Sequence, residues 1–296
     1  IRGNLRLSWD VWKARVFNHQ KSSRAYEVGI KHYDIGNDLF QAMLDPRMVY
    51  TCGYWKDTDD LEDAQKAKLD LVCRKVGLKS GMRVLDLGCG WGSFARYAAE
   101  HYGAEVVGVT VSREQVELGG ILCKGLPVEI RLLDYRAVKG KFDRVVSIGI
   151  MEHVGYKNYR TYMEVVDRTL KGDGIAFFHT IGGNVSMKIG NPWTVKYIFP
   201  NGQIPSIAQL GRAMEDLIVM EDWHNIGPDY DRTLMAWHES FERSWPMLMD
   251  RYSERFRRMW RFYLLSSAGV FRSRSMQLWQ VVMTKPGLKQ PECRIS

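Results

Sequence analysis

Short runs of β-branched residues alternate with helical stretches through the middle of the chain. The pattern predicts strands over residues 83–87, 105–110, 128–133, 142–149 and 174–181. Helical spacing of apolar residues between them predicts helices over about 92–101, 112–122 and 156–170. Strands that alternate with helices are typical of a parallel sheet with helices packed on its faces. An α/β domain is therefore predicted.

After residue 181 this alternation stops. Residues 182–205 are rich in Gly, Asn and Pro and predict a loop, and residues 233–265 have a helical pattern. Their aromatic and aliphatic positions predict two core-facing stripes: Leu234, Trp237, Phe241 and Trp245, then Tyr252, Phe256, Trp260 and Tyr263. A last strand is expected over 277–284 and an amphipathic helix over 60–76. We therefore expect one domain over 31–296 with a helical cap at about 182–265, preceded by a basic segment over 1–30.

The charge of the chain is concentrated at its two ends. Of 296 residues, 42 are Lys or Arg and 34 are Asp or Glu, which gives a formal net charge of +8. Residues 1–30 hold six basic and two acidic side chains, and residues 251–296 hold ten and two, so the part between them is net negative. Basic ends favour a nucleic acid or an anionic membrane surface as partner, although solvated Arg side chains on exposed helices produce the same pattern.

The composition disfavours several other classes of protein. The longest stretch without a charged residue has 15 residues, fewer than the roughly 20 that a membrane-spanning helix needs. The five cysteines form no CxxC pair and no Cys/His cluster, so neither a disulfide framework nor a metal site is predicted. This cysteine usage fits a reducing cytoplasm. The chain begins Ile-Arg-Gly, without an initiator Met or an apolar signal core, and we expect it to continue a longer protein.

The strongest local signal is a glycine-rich turn after the first predicted strand. It reads Val84-Leu85-Asp86-Leu87-Gly88-Cys89-Gly90-Trp91-Gly92, a buried strand followed by three glycines at alternate positions. Glycines there allow a tight turn and let a ligand approach the backbone. The dinucleotide fingerprint GxGxxG would need a glycine where Ser93 stands, and there is no GK[ST] motif, so NAD and ATP are poorly supported.

This turn resembles motif I of the S-adenosylmethionine-dependent methyltransferases. The resemblance implies a Rossmann-like α/β sheet with helical lid insertions, and a loop that lies against the cofactor. Methyltransferases of nucleic-acid amines usually carry an NPPY-like or DPPY-like tetrapeptide after the fourth strand. Here that place reads Gly149-Ile150-Met151-Glu152-His153, so no nucleic acid is expected as a partner.

Seven further segments resemble the bacterial cyclopropane-fatty-acyl-phospholipid synthase family, which includes the mycolic acid cyclopropane synthases. They read HYDIGNDLF, YTCGYW, GVTVSREQ, EHVG, FHTIG, YIFPNG and DYDRTLMAW, and they begin at residues 32, 50, 108, 152, 178, 197 and 229. They occur in the family's order and cover nearly the whole chain from about residue 20.

The resemblance implies a reaction and a setting. The reaction is the transfer of a methylene group from S-adenosylmethionine to the cis double bond of an unsaturated acyl chain in a membrane phospholipid, which forms a cyclopropane ring. A bound bicarbonate ion is implied as the base. A small domain before this chain, a homodimer of the full-length protein and reversible peripheral association with the cytoplasmic face of the bacterial membrane are implied as well.

Three other functions stay open at this point. The chain could be a related lipid methyltransferase whose product is methyl-branched or hydroxylated. It could be a small-molecule methyltransferase that acts on an amine or hydroxyl without any dependence on lipid vesicles. It could also be a non-catalytic cofactor-binding module that attaches to membranes and shows no turnover.

For the catalytic centre, the resemblance implies a polar set that holds bicarbonate. The set is Cys52, Glu152, His179, the backbone of Ile181, and Tyr230. Taken alone, Cys52 could be a small buried apolar residue and His179 a satisfied core histidine. Glu152 follows the fourth strand at the carboxyl edge of the sheet, where ligands bind. The reaction leaves a carbocation, which aromatic faces can stabilise, and a base must then remove a proton so that the ring closes.

For the cofactor, we expect contacts from the glycine turn and from the ends of the neighbouring strands. The expected residues are Val84, Leu85, Asp86, Leu87, Gly88, Cys89, Gly90, Trp91 and Gly92 from the turn, Gly108, Val109, Thr110, Val111, Ser112 and Gln115 beside the ribose and methionine, Asp134 and Tyr135 beside the adenine, and Tyr33, Tyr50 and Thr51 over the methionine carboxylate. Some family members carry a cysteine where Ser267 stands here, so a required thiol at that position is not supported.

Overall fold

The computed structural model describes residues 35–295, so Tyr33 and the basic segment over 1–30 lie outside the described residues. Within that range, seven strands form one sheet: β1 (Arg83–Leu87), β2 (Glu105–Thr110), β3 (Val128–Leu132), β4 (Phe142–Ile148), β5 (Leu170–Gly183), β6 (Val219–Asn225) and β7 (Met276–Thr284). Their order across the sheet is β3-β2-β1-β4-β5-β7-β6. The first five are parallel, and β7 is antiparallel to both of its neighbours.

The helices pack on both faces of this sheet. They are α1 (Asn37–Met43), α2 (Leu61–Lys75), α3 (Ser93–Tyr102), α4 (Arg113–Leu122), α5 (Met151–Val154), α6 (Tyr159–Thr169), α7 (Pro192–Tyr197), α8 (Ile207–Met214), α9 (Gly227–Leu248) and α10 (Glu254–Arg272). Apolar residues of α6 and α8 fill one side of the sheet, and those of α2 and α3 fill the other. This arrangement confirms the predicted α/β, Rossmann-like fold.

The five predicted parallel strands and the last strand are present, but β6 was missed. Its sequence, VMEDWHN, has no regular alternation of apolar and polar residues, and only Asp222 in it is buried. A strand at the edge of a sheet packs on one neighbour only, so its sequence carries a weak pattern. The proposed cap over 182–265 therefore contains a strand of the main sheet as well as helices.

The single helical stretch predicted over 233–265 is wrong in one respect, because two helices occupy it. Helix α9 ends at Leu248, and the Ser253 side chain caps the start of α10 by accepting a hydrogen bond from the Phe256 amide. The segment 182–205 is also less loop-like than predicted, since it holds the end of β5 and all of α7.

The core-facing stripes were predicted correctly. Trp237, Phe241 and Trp260 are fully buried, and they pack with α1 in a cluster that closes one end of the sheet. Within the stripes, Tyr252 and Phe256 are half-buried, and their rings contact at 4.9 Å between centroids with a tilt of 33°. None of the helices in the described range is both long and apolar enough to span a bilayer.

Candidate active site

The glycine turn after β1 combines three left-handed glycines in three different environments. Gly88, Gly90 and Gly92 have φ of 74°, 56° and 81°, a region that favours glycine. A Cβ on Gly88 would lie 2.5 Å from Ile150 Cδ1, and one on Gly92 would lie 2.9 Å from Cys123 Sγ. A Cβ on Gly90 would meet no atom within 4 Å, so this residue faces open space.

That open space is a cavity of about 190 Å³ at the carboxyl edge of the sheet, where the strand order reverses between β1 and β4. Thirteen of the predicted cofactor residues line it: Tyr50, Thr51, Asp86, Gly88, Cys89, Gly90, Trp91, Val109, Thr110, Val111, Gln115, Asp134 and Tyr135. The lining also includes Met48, Ile150 and His153. The structure thus brings together segments separated by more than a hundred residues of sequence.

Six predicted cofactor residues do not line the cavity: Val84, Leu85, Leu87, Gly92, Gly108 and Ser112. The first three are fully buried strand residues in the apolar clusters on the two faces of the sheet. A Cβ on Gly108 would lie 2.8 Å from Cys89 Sγ, so this glycine makes room for the turn. The Ser112 side chain caps α4 by accepting a hydrogen bond from the Gln115 amide. These residues support the wall of the cavity, and their contact with a cofactor stays a prediction.

Polar side chains at or just after the ends of β2 and β3 line another part of the cavity and are held in place by hydrogen bonds to each other. Thr110 Oγ1 donates a hydrogen bond of 2.6 Å to Gln115 Oε1, and both residues line the cavity. Asp134 accepts from the Arg136 backbone amide and pairs with the Arg136 guanidinium at 3.0 Å. The neighbouring Tyr135 is buried beneath that guanidinium.

Lys68 on α2 was missed by the sequence reasoning. Its side chain is fully buried, lines the cavity, and donates a hydrogen bond of 2.8 Å from Nζ to Thr51 Oγ1. Burial lowers the pKa of Lys68 to about 8, opposed by the carboxylate of Asp45. Burial also raises the pKa of the nearby Asp86 to about 7, and Asp86 Oδ2 has no partner within residues 35–295. A lysine on the apolar face of the predicted helix 60–76 was the signal that could have revealed it.

Two of the five predicted catalytic groups are joined directly. Glu152, at the start of α5, accepts a hydrogen bond of 2.6 Å at Oε1 from the backbone amide of Ile181 on β5. Its other oxygen, Oε2, is buried and has no hydrogen-bond partner in the described part of the chain. Burial raises the pKa of Glu152 to about 7, although the Ile181 bond opposes the shift. A carboxyl group of this kind can carry its proton at neutral pH.

The other three predicted groups are also buried. Thr233 Oγ1 on α9 lies 3.9 Å from Cys52 Sγ, and Thr233 is about one helical turn from Tyr230. Thr233 therefore links the segment of Cys52 to the helix of Tyr230. Burial raises the pKa of the Cys52 thiol and lowers the pKa of His179, which keeps both groups neutral. None of these five residues is among those that line the cavity.

The strand order, the glycine turn and the cavity at the point of strand reversal define the chain as an S-adenosylmethionine-dependent methyltransferase. The family model for mycolic acid cyclopropane synthetase matches residues 20–281. The chain belongs to this family.

Individual relatives agree with this assignment. The cyclopropane-fatty-acyl-phospholipid synthase of Escherichia coli K12 is 56% identical over 92% of this chain and 71% of its own length. A probable fatty acid methyltransferase of Pseudomonas putida is 34% identical over 91% of this chain and 71% of its own. The mycolic acid cyclopropane synthase CmaA1, in a complex with SAH and CTAB, superposes with a TM-score of 0.83 at 30% identity and covers 88% of this chain and 98% of its own.

The described residues fit the cofactor that this class uses. Three groups around the cavity are available to a ligand. They are the backbone of Gly90, the ammonium of Lys68 and a carboxyl oxygen of Asp86 that has no hydrogen-bond partner among residues 35–295. S-adenosylmethionine carries a sulfonium, a carboxylate and ribose hydroxyls, which such groups can complement.

Proposed function

We propose that this enzyme transfers a methylene group from S-adenosylmethionine to the cis double bond of an unsaturated phospholipid acyl chain and closes a cyclopropane ring. The observation that carries the proposal is the buried carboxyl of Glu152, which accepts a hydrogen bond from Ile181 and whose second oxygen has no partner among residues 35–295. The E. coli relative is named a cyclopropane-fatty-acyl-phospholipid synthase, which supports the choice of substrate and product.

The catalytic groups suit a bound bicarbonate ion because burial keeps them neutral. Glu152 can carry its proton at neutral pH, and the pKa of the Cys52 thiol is raised. Protonated, uncharged groups in a buried site can donate hydrogen bonds to an anion without the repulsion that carboxylates or thiolates would add. When bound, bicarbonate would supply the base that the reaction needs. Cys52, Glu152, His179, the Ile181 amide and Tyr230 would hold it.

The other residues of the site would orient the reactants and exclude water. Aromatic rings surround Tyr230, with Phe271 at 4.6 Å and Trp237 at 6.0 Å between ring centroids. Such faces stabilise positive charge without adding to it as nucleophiles would. A dry, aromatic site therefore protects a carbocation until the ring closes.

One exposed surface supports a lipid partner. We call it the aromatic–basic surface; it is formed by α7 and α10 and comprises Trp193, Lys196, Tyr197, Arg255, Arg258 and Phe262. Trp193 contacts Phe262 at 4.7 Å between ring centroids, and Phe262 is 54% exposed. Lys196 Nζ lies 4.8 Å from the Tyr197 ring. Exposed aromatics beside basic side chains suit the interface of an anionic membrane. Peripheral attachment at the cytoplasmic face and a homodimer of the full-length protein complete the proposal.

The decisive experiment supplies labelled S-adenosylmethionine and vesicles of unsaturated phospholipid to the enzyme. We expect label in the acyl chains, a mass increase of one CH2 unit and an intact head group, with the ring identified by NMR. A second candidate, a fatty acid methyltransferase that leaves a branched chain, is favoured by the P. putida relative. The same NMR spectrum would then show a branch. Label in the head group, or none in the lipid, would refute the proposed function.

A further inference from the structure

A row of three polar side chains crosses the sheet beside the catalytic groups. His179 on β5 pairs with Gln280 on β7, and Gln280 pairs with His224 on β6. Residues paired on neighbouring strands point to the same face of a sheet, and adjacent strands are about 5 Å apart. The row therefore runs from the interior at His179 to the edge strand at His224.

The polar atoms of this row lack partners throughout the described range. Both ring nitrogens of His179, both amide atoms of Gln280 and Nδ1 of His224 are buried without a hydrogen bond to any residue of 35–295. An unmet buried polar group costs roughly 1–3 kcal/mol. Folded proteins nearly always pair such groups with protein atoms or with ordered water. So many unpaired atoms along one line indicate water molecules between the side chains.

One end of the row lies near the cofactor cavity, and the other end lies at the protein surface. At the inner end, the His179 carbonyl accepts a hydrogen bond of 2.8 Å from the amide of Gly149, which lines the cofactor cavity. At the outer end, half-buried His224 belongs to a surface hollow that also includes Lys75 and Asp222.

The charged groups that face the row come from the helix above it and from the edge strand. Lys68 lies near His179, whereas Lys75 and Asp222 lie near His224 and form a buried ion pair at 2.7 Å. The ring of Tyr54 covers His224 at 6.2 Å between ring centroids. Among residues 35–295, the row is thus buried at His179 and Gln280 and reaches a surface hollow at His224.

Ring closure releases a proton, because the transferred methyl group carries three hydrogens and the ring carbon keeps two. We propose that the row His179–Gln280–His224, with the water it holds, conducts this proton from the catalytic centre to solvent at β6. The C–H bond breaks, its electron pair forms the second C–C bond of the ring, and the proton leaves through the row.

In this route the side chains have separate tasks. His179 accepts a proton at one ring nitrogen and gives one up from the other, Gln280 orients water between the two imidazoles, and His224 exchanges with solvent. A neutral imidazole is required for the first step, and burial keeps His179 neutral. The inference rests on the proposed ring-forming reaction, and it holds for whichever base takes the proton first.

A crystal structure of the enzyme with its cofactor, at a resolution that shows water, tests the row directly. We expect ordered water hydrogen-bonded to the Gln280 amide and to His179. Density that shows the row dry would overturn the proposal. The presence of water in the row does not depend on which product the enzyme forms. The crystal structure therefore tests the row, whereas NMR of the wild-type product tests the proposed function.

The kinetic test uses Gln280→Leu, which fills the row with an apolar side chain. Because a relay group acts one step away from the base, we expect kcat to fall roughly 10- to 100-fold with KM for both substrates nearly unchanged. The melting temperature should not fall, since the Gln280 amide has no hydrogen-bond partner to lose among residues 35–295. The control is Gln277→Leu on the same strand, which loses hydrogen bonds to Asn225 and Arg274 and should lose stability with little change in kcat.

The outer end is tested by His224→Ala in a series of imidazole concentrations. Free imidazole should restore turnover to this variant and should leave Gln280→Leu slow, because the block in that variant is internal. His101→Ala, an exposed histidine on α3, is the control and should not respond. The row conducts no proton if Gln280→Leu has the kcat of the wild type. The same conclusion follows if imidazole does not change the turnover of His224→Ala.

Discussion

The ammonium of Lys68 reaches from α2 into the cofactor cavity and donates a hydrogen bond of 2.8 Å to Thr51 Oγ1. This bond ties the helix that precedes the sheet to the segment that covers the cavity. Complete burial of this lysine lowers the stability of the fold, because desolvation disfavours the charged form of the side chain. Such a residue is expected to have a function. We expect the ammonium of Lys68 to bind the carboxylate of the cofactor.

Lys68→Met keeps the length of the side chain and removes its charge. A hydrogen bond to a charged group contributes roughly 1.5–3 kcal/mol, so we expect cofactor affinity to fall about 10- to 150-fold in calorimetry. The melting temperature should hold or rise, because a desolvated charge is removed. Lys66→Met, on the exposed face of the same helix, is the control and should bind the cofactor as the wild type does. Equal affinity in the two variants would remove Lys68 from the site.

Gly90→Val places a side chain where no described atom lies within 4 Å of its Cβ, at the wall of the cavity. Cofactor binding should be lost while the fold survives. The left-handed backbone at Gly90 adds strain of roughly 1–2 kcal/mol to any such variant. Gly125→Val is the matched control, because Gly125 is also left-handed and open but lies in an exposed turn. Retained cofactor affinity in Gly90→Val would contradict the assignment of the loop.

Glu152→Gln keeps the shape of the side chain and its ability to accept from the Ile181 amide, but it removes the titrating proton. We expect a loss of roughly 10²–10⁴ in rate, the range typical of acid–base groups, with cofactor affinity nearly unchanged. Removing bicarbonate from the buffer should slow the wild type and leave the variant almost indifferent. Glu164→Gln, on the exposed side of α6, should behave as the wild type. A variant that responds to bicarbonate as strongly as the wild type would exclude Glu152 from the anion site.

The same variant should change how stability depends on pH. Burial raises the pKa of Glu152 from 4.5 to about 7, so the folded state holds this proton more tightly than the unfolded state does. Its stabilising contribution is present below pH 4.5 and is lost as pH rises to about 7. Across that window, wild type should lose roughly 3 kcal/mol of unfolding free energy relative to Glu152→Gln. Urea titrations at several pH values measure the difference, and parallel curves would show that Glu152 does not titrate this way.

Arg251, Arg255, Arg258 and Arg261 lie three or four residues apart and form a basic stripe on α10 and just before it. Arg251 precedes α10 and pairs with Asp38 at 2.8 Å, and Arg261 approaches Glu242 at 4.0 Å. Arg255 and Arg258 are exposed on α10 and make no ion pair within the described residues. These two are the members of the stripe best placed for lipid phosphates.

Reversing both charges, Arg255→Glu with Arg258→Glu, should weaken binding to anionic vesicles by at least about 30-fold, from about 1 kcal/mol for each lost cation. Wild-type binding should weaken as salt is added, because exposed charges are screened. Arg212→Glu with Lys124→Glu changes the net charge equally at other exposed sites and should have a smaller effect. All three proteins should keep their melting temperature and cofactor affinity. If the first pair binds vesicles as the wild type does, the contact lies elsewhere, for instance in the basic segment 6–24.

Local pattern determined the parallel strands and the glycine turn. In the strand Arg83–Leu87, the last four residues are buried and three of them are apolar. Gly88, Gly90 and Gly92 have left-handed backbones, which favour glycine, so these features depend on neighbouring residues. The family followed from motifs of the same local kind. Each of these conclusions depends on residues within a few positions of one another.

Tertiary structure alone decided the rest. Lys68 faces the cavity because α2 packs against the sheet, and the break between α9 and α10 lets both helices cover α1. The row of His179, Gln280 and His224 exists because the register of two antiparallel pairs aligns residues that are 101 and 56 positions apart. Strand register depends on long-range pairing and on the burial of a whole face, and no short stretch of sequence specifies it.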